Sequence, residues 1–147
     1  YRSIARVLWI ETGEAGIREF ITRLIFNTLI GNADMHLKNW SLIYPGGRTP
    51  QLAPAYDFLS TTVYIPDDSM ALRFGRSKLM TDLSIDEITY MAAKAGLPET
   101  LARTAALEAV ERFRDVWPRE RANLPVSKDV AAEIERLLAA VPIASGR

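Results

Sequence analysis

The residues best suited to chemistry lie in one stretch, "GNADMHLKN" at positions 31–39, which holds the chain's only histidine, His36, beside Asn32, Asp34, Lys38 and Asn39. Asp34 and Asn39 form D-x-x-x-x-N, and an aspartate followed by phenylalanine, Asp57-Phe58, comes 18 positions after Asn39. That order is the grammar of phosphoryl transfer. One aspartate accepts the proton of the attacking hydroxyl, while a loop asparagine and a later aspartate hold magnesium against nucleotide phosphates. The residue types follow from the chemistry: Mg2+ is a hard ion that takes oxygen ligands, which a carboxamide and a carboxylate supply, and the base needs a carboxylate kept off the metal. Plainer readings stand beside these. Asp34 and Asn39 are turn formers, and D-x-x-x-x-N alone arises by chance in many proteins. Tyr56 suits packing as well as binding, and Phe58 reads as core. With a single histidine in the chain there is no zinc site to build around His36.

Two elements must position this set. Ile17, Phe20, Ile21, Leu24 and Ile25 recur at helical spacing after "ETGEAG", with Arg18, Glu19, Thr22 and Arg23 on the opposite face. This predicts an amphipathic helix that Gly31 closes in the left-handed conformation, so the polar loop hangs from a helix C-terminus. "WSLIYPGGRTPQLAPAYDF" then reads as a small hairpin turned at Pro-Gly-Gly. A hairpin returns the chain to where it started and can bring Asp57 back to Asp34 and Asn39. Beyond an irregular stretch, with "ALRF" at most a short extended piece and Arg73, Arg76 and Lys78 on a solvated surface, the chain reads helical from Leu83 onward. Ser84 and Glu87 predict a capping box flanked by a Leu83 and Ile88 staple, and Gly96 ends that helix. A second helix starts at Pro98 and stops at Pro118, and Ser127 caps a third. The expected architecture is mostly α (α+β), one domain over residues 1–147, with one small β-hairpin beside the polar loop.

The combined motifs carry a family resemblance. "FNTLIGNADMHLKNWSLIY" followed by "LAPAYDFLST" resembles the signature of the HipA family, the serine/threonine kinase toxins of bacterial toxin–antitoxin pairs. The family pattern G-N-x-D-x-H-x-[KR]-N is met by Gly31, Asn32, Asp34, His36, Lys38 and Asn39, and [LS]-[AS]-P-A-Y-D by residues 52–57. The loop also resembles that of phosphoinositide-type lipid kinases, with its histidine inside D-x-H-x-x-N. The HipA resemblance implies a helical kinase-like C-terminal lobe using ATP and Mg2+. It makes Asp34 catalytic and Asn39 and Asp57 the metal ligands, with His36 and Tyr56 beside the nucleotide. Lys38 neutralises phosphate or pairs with a carboxylate, and Asn32 supports the loop from behind. The implied partners are a protein substrate such as an aminoacyl-tRNA synthetase, and a DNA-binding antitoxin.

Composition narrows the setting. The 147 residues carry 18 basic and 18 acidic side chains, so no global field argues for direct nucleic-acid or anionic-membrane binding. The absence of cysteine excludes disulfides and fits a reducing cytoplasm. Apolar runs such as "LIFNTLI" fall far short of the roughly 20 residues that a spanning helix needs. A kinase also needs a nucleotide-covering loop and a strand lysine. Neither G-x-G-x-x-G nor a V-A-I-K strand precedes residue 31, so the expectation is a C-terminal part without its N-terminal lobe, inactive alone. Two alternatives stand: a non-catalytic helical interaction module, and a Mg-dependent phosphohydrolase using Asp34 and Asp57.

Overall fold

The computed structural model describes residues 1–146. Helix α1 spans Arg2–Leu29 and turns at Gly13, whose φ of +63° and ψ of −150° only a residue without Cβ adopts freely. The helix thus begins well before the sequence pattern suggested. Ile4, Ala5 and Leu8 bury against the same core as the later turns, and "ETGEAG" is the bend itself rather than a flank. Ile17, Phe20, Ile21, Leu24 and Ile25 are fully buried, each worth about 1.5–3 kcal/mol relative to exposure. Arg23 departs from its expected polar face. It is buried, because its guanidinium finds Glu19 (2.6 Å) and the Ala53 carbonyl (2.8 Å).

After the polar loop and a 3-10 turn at Leu37–Asn39, strands β1 (Leu42–Ile43) and β2 (Gln51–Leu52) pair antiparallel, Leu42 opposite Leu52. The hairpin is as predicted, though only two residues long on each side. Residues 53–79 are irregular apart from one bridge between Ser69 and Leu79, so "ALRF" forms no strand. Three helices follow: α2 (Ile85–Ala95), α3 (Glu99–Glu120) and α4 (Lys128–Ala140), with a closing 3-10 turn at Pro142–Ser145. Helix α3 packs on both α1 and α2, and α4 reaches back to α1 near its C-terminal end.

Two boundary expectations need correction. Ser84 Oγ caps α2 by accepting from Glu87 N–H (3.2 Å), but the reciprocal half of the capping box is missing. The buried Glu87 carboxylate accepts instead from Arg76 N–H (2.7 Å) and from the Arg76 guanidinium, which also reaches Asp86 and lies over the Tyr90 ring. A charge-assisted pair outcompetes a neutral backbone donor, and Arg76, exposed as expected, also tethers its loop to α2. Pro118 does not stop α3, which runs on to Glu120. Its missing N–H falls in the last turn, and the helix is held there by buried Trp117, whose indole N–H donates to Glu135 on α4 (2.9 Å).

Candidate active site

Helix α1 ends in a Schellman turn. Gly31 N–H donates to the Thr28 carbonyl (3.2 Å) and Asn32 N–H to the Asn27 carbonyl (2.8 Å), with Gly31 at φ +73°. A Cβ at Gly31 would lie 2.2 Å from Thr62 Oγ1 and 3.2 Å from a Leu137 methyl, so neither the conformation nor the space admits another residue. The chain leaves the helix in one direction, as the sequence predicted.

Asn32, 1% exposed, is where the two aspartate-bearing segments meet. Its Nδ2 donates to Asn27 Oδ1 (2.7 Å) and to the Asp57 carbonyl (2.9 Å), and its Oδ1 accepts from Asp34 N–H (3.1 Å). Met35 turns into the core, and the buried Tyr1 hydroxyl donates to its carbonyl (2.7 Å). Burial raises that phenol above its ordinary pKa and keeps it a donor. With Met35 inside, Asp34 and His36 face outward. His36 Nε2 lies 3.0 Å from Asp34 Oδ1, and Lys38 Nζ 3.9 Å from Asp34 Oδ2. All three side chains are about half exposed or more, so these contacts orient the carboxylate more than they stabilise the fold.

Asn39 is buried and doubly engaged. Its Oδ1 accepts from His36 N–H (2.9 Å) and its Nδ2 donates to Asp57 Oδ2 (2.5 Å). Asp57 is the one non-glycine at positive φ (+62°) among the described residues, a conformation aspartate tolerates better than most. The Tyr56 hydroxyl donates to the Lys38 carbonyl (2.8 Å) and lies 2.7 Å from Ser41 Oγ. Tyr56 therefore stitches the Y-D-F segment to the loop from an exposed position, and Phe58 is half-buried, stacked on Phe26. The structure thus brings Asp34, His36, Lys38, Asn39, Tyr56 and Asp57 onto one edge, with Asn32 beneath.

The donor set fits a hard cation. Asp57 Oδ1 has no partner among the described residues, and Asn39 lies beside it; to share a cation with Asp57, the Asn39 amide would turn its oxygen, which here accepts from His36 N–H, into the place its N–H now takes against Asp57. No cluster of three or more His, Asp or Glu side chains offers a fuller cage among the described residues.

Three residues that shape the site escaped the sequence reading. Arg23 holds the Ala53 carbonyl at the start of the segment leading to Asp57. Thr61 accepts from Ala33 N–H (2.8 Å) and donates its own N–H to the Gly31 carbonyl (2.9 Å). Asn27, fully buried, supports Asn32. Its signal was present: an amide on the apolar stripe three residues after Leu24.

Fold and site define a class, a helical domain whose longest helix delivers a D-x-x-x-x-N loop through a glycine turn against a Y-D-F segment. The family model described as HipA-like C-terminal domain matches residues 1–117, and the chain belongs to this family. A Sinorhizobium fredii protein named "Putative kinase Y4dM" is 59% identical over 136 residues, covering 92% of this chain and 33% of that protein. A second from the same organism, "Putative kinase Y4mE", is 36% identical over 105 residues, 70% of this chain and 24% of the relative. The chain thus spans a third or less of the length of these relatives. Among solved structures, a chain of the Shewanella oneidensis MR-1 complex of HipA, HipB and operator DNA superposes with a TM-score of 0.72. The overlay covers 95% of this chain and 34% of that one at 19% identity, which makes the fold a shared one.

Proposed function

We propose that the chain is the C-terminal catalytic lobe of a HipA-like serine/threonine protein kinase, a cytoplasmic toxin restrained by a DNA-binding antitoxin. The reaction moves the γ-phosphoryl group of ATP to a hydroxyl of a protein, and the family implies an aminoacyl-tRNA synthetase as the kind of substrate. The observation that carries this reading is the convergence of Asp34, Asn39 and Asp57 on one edge through the side chains of Asn32 and Asn39.

Asp34 is the base. Its outward carboxylate, steered by His36 and Lys38, accepts the proton of the substrate hydroxyl as that oxygen bonds to the γ-phosphorus. The bond from the γ-phosphorus to the β–γ bridging oxygen breaks and ADP leaves. Asn39 and Asp57 would hold Mg2+, which when bound neutralises charge on the β- and γ-phosphates. His36 and Tyr56 border the nucleotide.

The test is Asp34→Asn in the full-length protein, assayed with radiolabelled ATP and Mg2+. Loss of a general base predicts a fall in transfer of about 10²–10⁴-fold with unfolding unchanged. The same variant should relieve growth arrest on expression. Full transfer by Asp34→Asn would reject the assignment, and intact toxicity with no transfer would favour the interaction module.

A further inference from the structure

Asn27 is fully buried in the last turn of α1, with both its amide nitrogen and its amide oxygen hydrogen-bonded. Its Nδ2 donates to the Arg23 carbonyl (2.8 Å), which leaves Oδ1 facing the loop, where it accepts from Asn32 Nδ2 (2.7 Å). The Asn32 amide divides its two N–H groups between Asn27 and the Asp57 carbonyl and offers its oxygen to Asp34 N–H. A rigid helix end is thereby connected through two carboxamides to the backbones of both aspartates. Asn27 itself touches neither one.

We infer that Asn27 and Asn32 form a buried carboxamide pair that sets the spacing between the Asp34 and Asp57 carboxylates, acting as positioning residues. This rests on the kinase reading of the site. A free Asn32 side chain could turn about its last torsion and exchange donor for acceptor. It would then present its oxygen to the Asp57 carbonyl and its amide to the Asp34 N–H, two repulsive contacts. Asn27 Oδ1 prevents this by demanding a donor from Asn32. The Asn32 bond also fixes the direction of the carbonyl of Asp57, the residue at positive φ. Thr28, next in sequence and equally buried, bonds only within the helix through its hydroxyl to the Leu24 carbonyl (2.9 Å), and it provides a control.

The experiment uses the full-length protein and Mn2+ as the probe, with binding read by electron paramagnetic resonance in the presence of ADP. Asn27→Leu and Asn32→Ala are expected to weaken Mn2+ binding by about tenfold or more, the scale on which outer partners of metal ligands act, and Thr28→Val by less than about twofold. The Mg2+ concentration for half-maximal transfer should rise in parallel. Thermal unfolding identifies variants that do not fold, and if Asn27→Leu is among them Asn32→Ala decides. Unchanged Mn2+ binding in a folded variant, or equal weakening by Thr28→Val, would overturn the pair as a positioning device. These arms need no turnover: transfer surviving in Asp34→Asn sinks the kinase reading, whereas normal Mn2+ binding in Asn27→Leu sinks the pair alone.

Discussion

Asp57 combines a chemical demand with a backbone one. Its carboxylate meets Asn39 and its φ of +62° puts it where side chains other than those of Asn and Asp are penalised. The two demands separate by substitution. Asp57→Asn keeps a residue suited to that conformation and removes the charge, so chemical denaturation should find stability within about 0.5 kcal/mol of the parent while phosphoryl transfer is lost. Asp57→Ala should lose transfer as well and cost about 1–2 kcal/mol more. Much at this scale was legible in the sequence, because order and spacing named Asp34, Asn39 and Asp57 and the hairpin between them implied convergence. The partners of Arg23 and Asn27 were not legible, although an amide on the apolar stripe marked Asn27. Helical periodicity assigns faces by polarity, and it cannot see that a particular carbonyl or amide across the core is waiting for a guanidinium or a carboxamide.

Helix ends decide how the site is presented. Gly31→Ala imposes a Cβ on a left-handed residue and drives it against Thr62 and Leu137, so it should destabilise by more than about 1–2 kcal/mol, measurable as a drop in the urea midpoint. Ser84→Ala removes the one side-chain cap of α2 and should cost about 1 kcal/mol, with the site untouched. The contrast tests whether the glycine turn serves the loop or only the helix. Element ends carried by backbone conformation, Gly31 and Gly96, were readable from the sequence and stand as expected. The expectations that failed depended on competition: Glu87 chose Arg76 over the cap, and Pro118 was overruled by Trp117 packing on Phe113 and bonding Glu135.

Across the whole molecule, charged contacts tie the last helix to the segment behind the loop. Arg136 bridges Glu133 and Asp68, and Glu133 accepts from the Thr62 hydroxyl (2.7 Å). Hydrogen bonding from Arg136 holds the Glu133 carboxyl below its ordinary pKa. The folded state therefore binds this proton less readily than the unfolded one. Its contribution is complete above the ordinary glutamate range and disappears as pH falls through the depressed folded value. Arg136→Gln should accordingly flatten the fall in stability below about pH 5, seen in urea midpoints measured against pH. The family match ends at residue 117, yet α4 beyond it presses Leu137 near Gly31 and ties Glu133 to Thr62. The Asn32, Ala33, Asp34 and His36 amides all have protein acceptors, two of them on side chains of the loop itself and one on Thr61. Such a loop has no cheap way to open. In hydrogen–deuterium exchange the Asn32 and Ala33 amides should become labile with the core of α1, as one cooperative unit, and not with the exposed turn at 44–50.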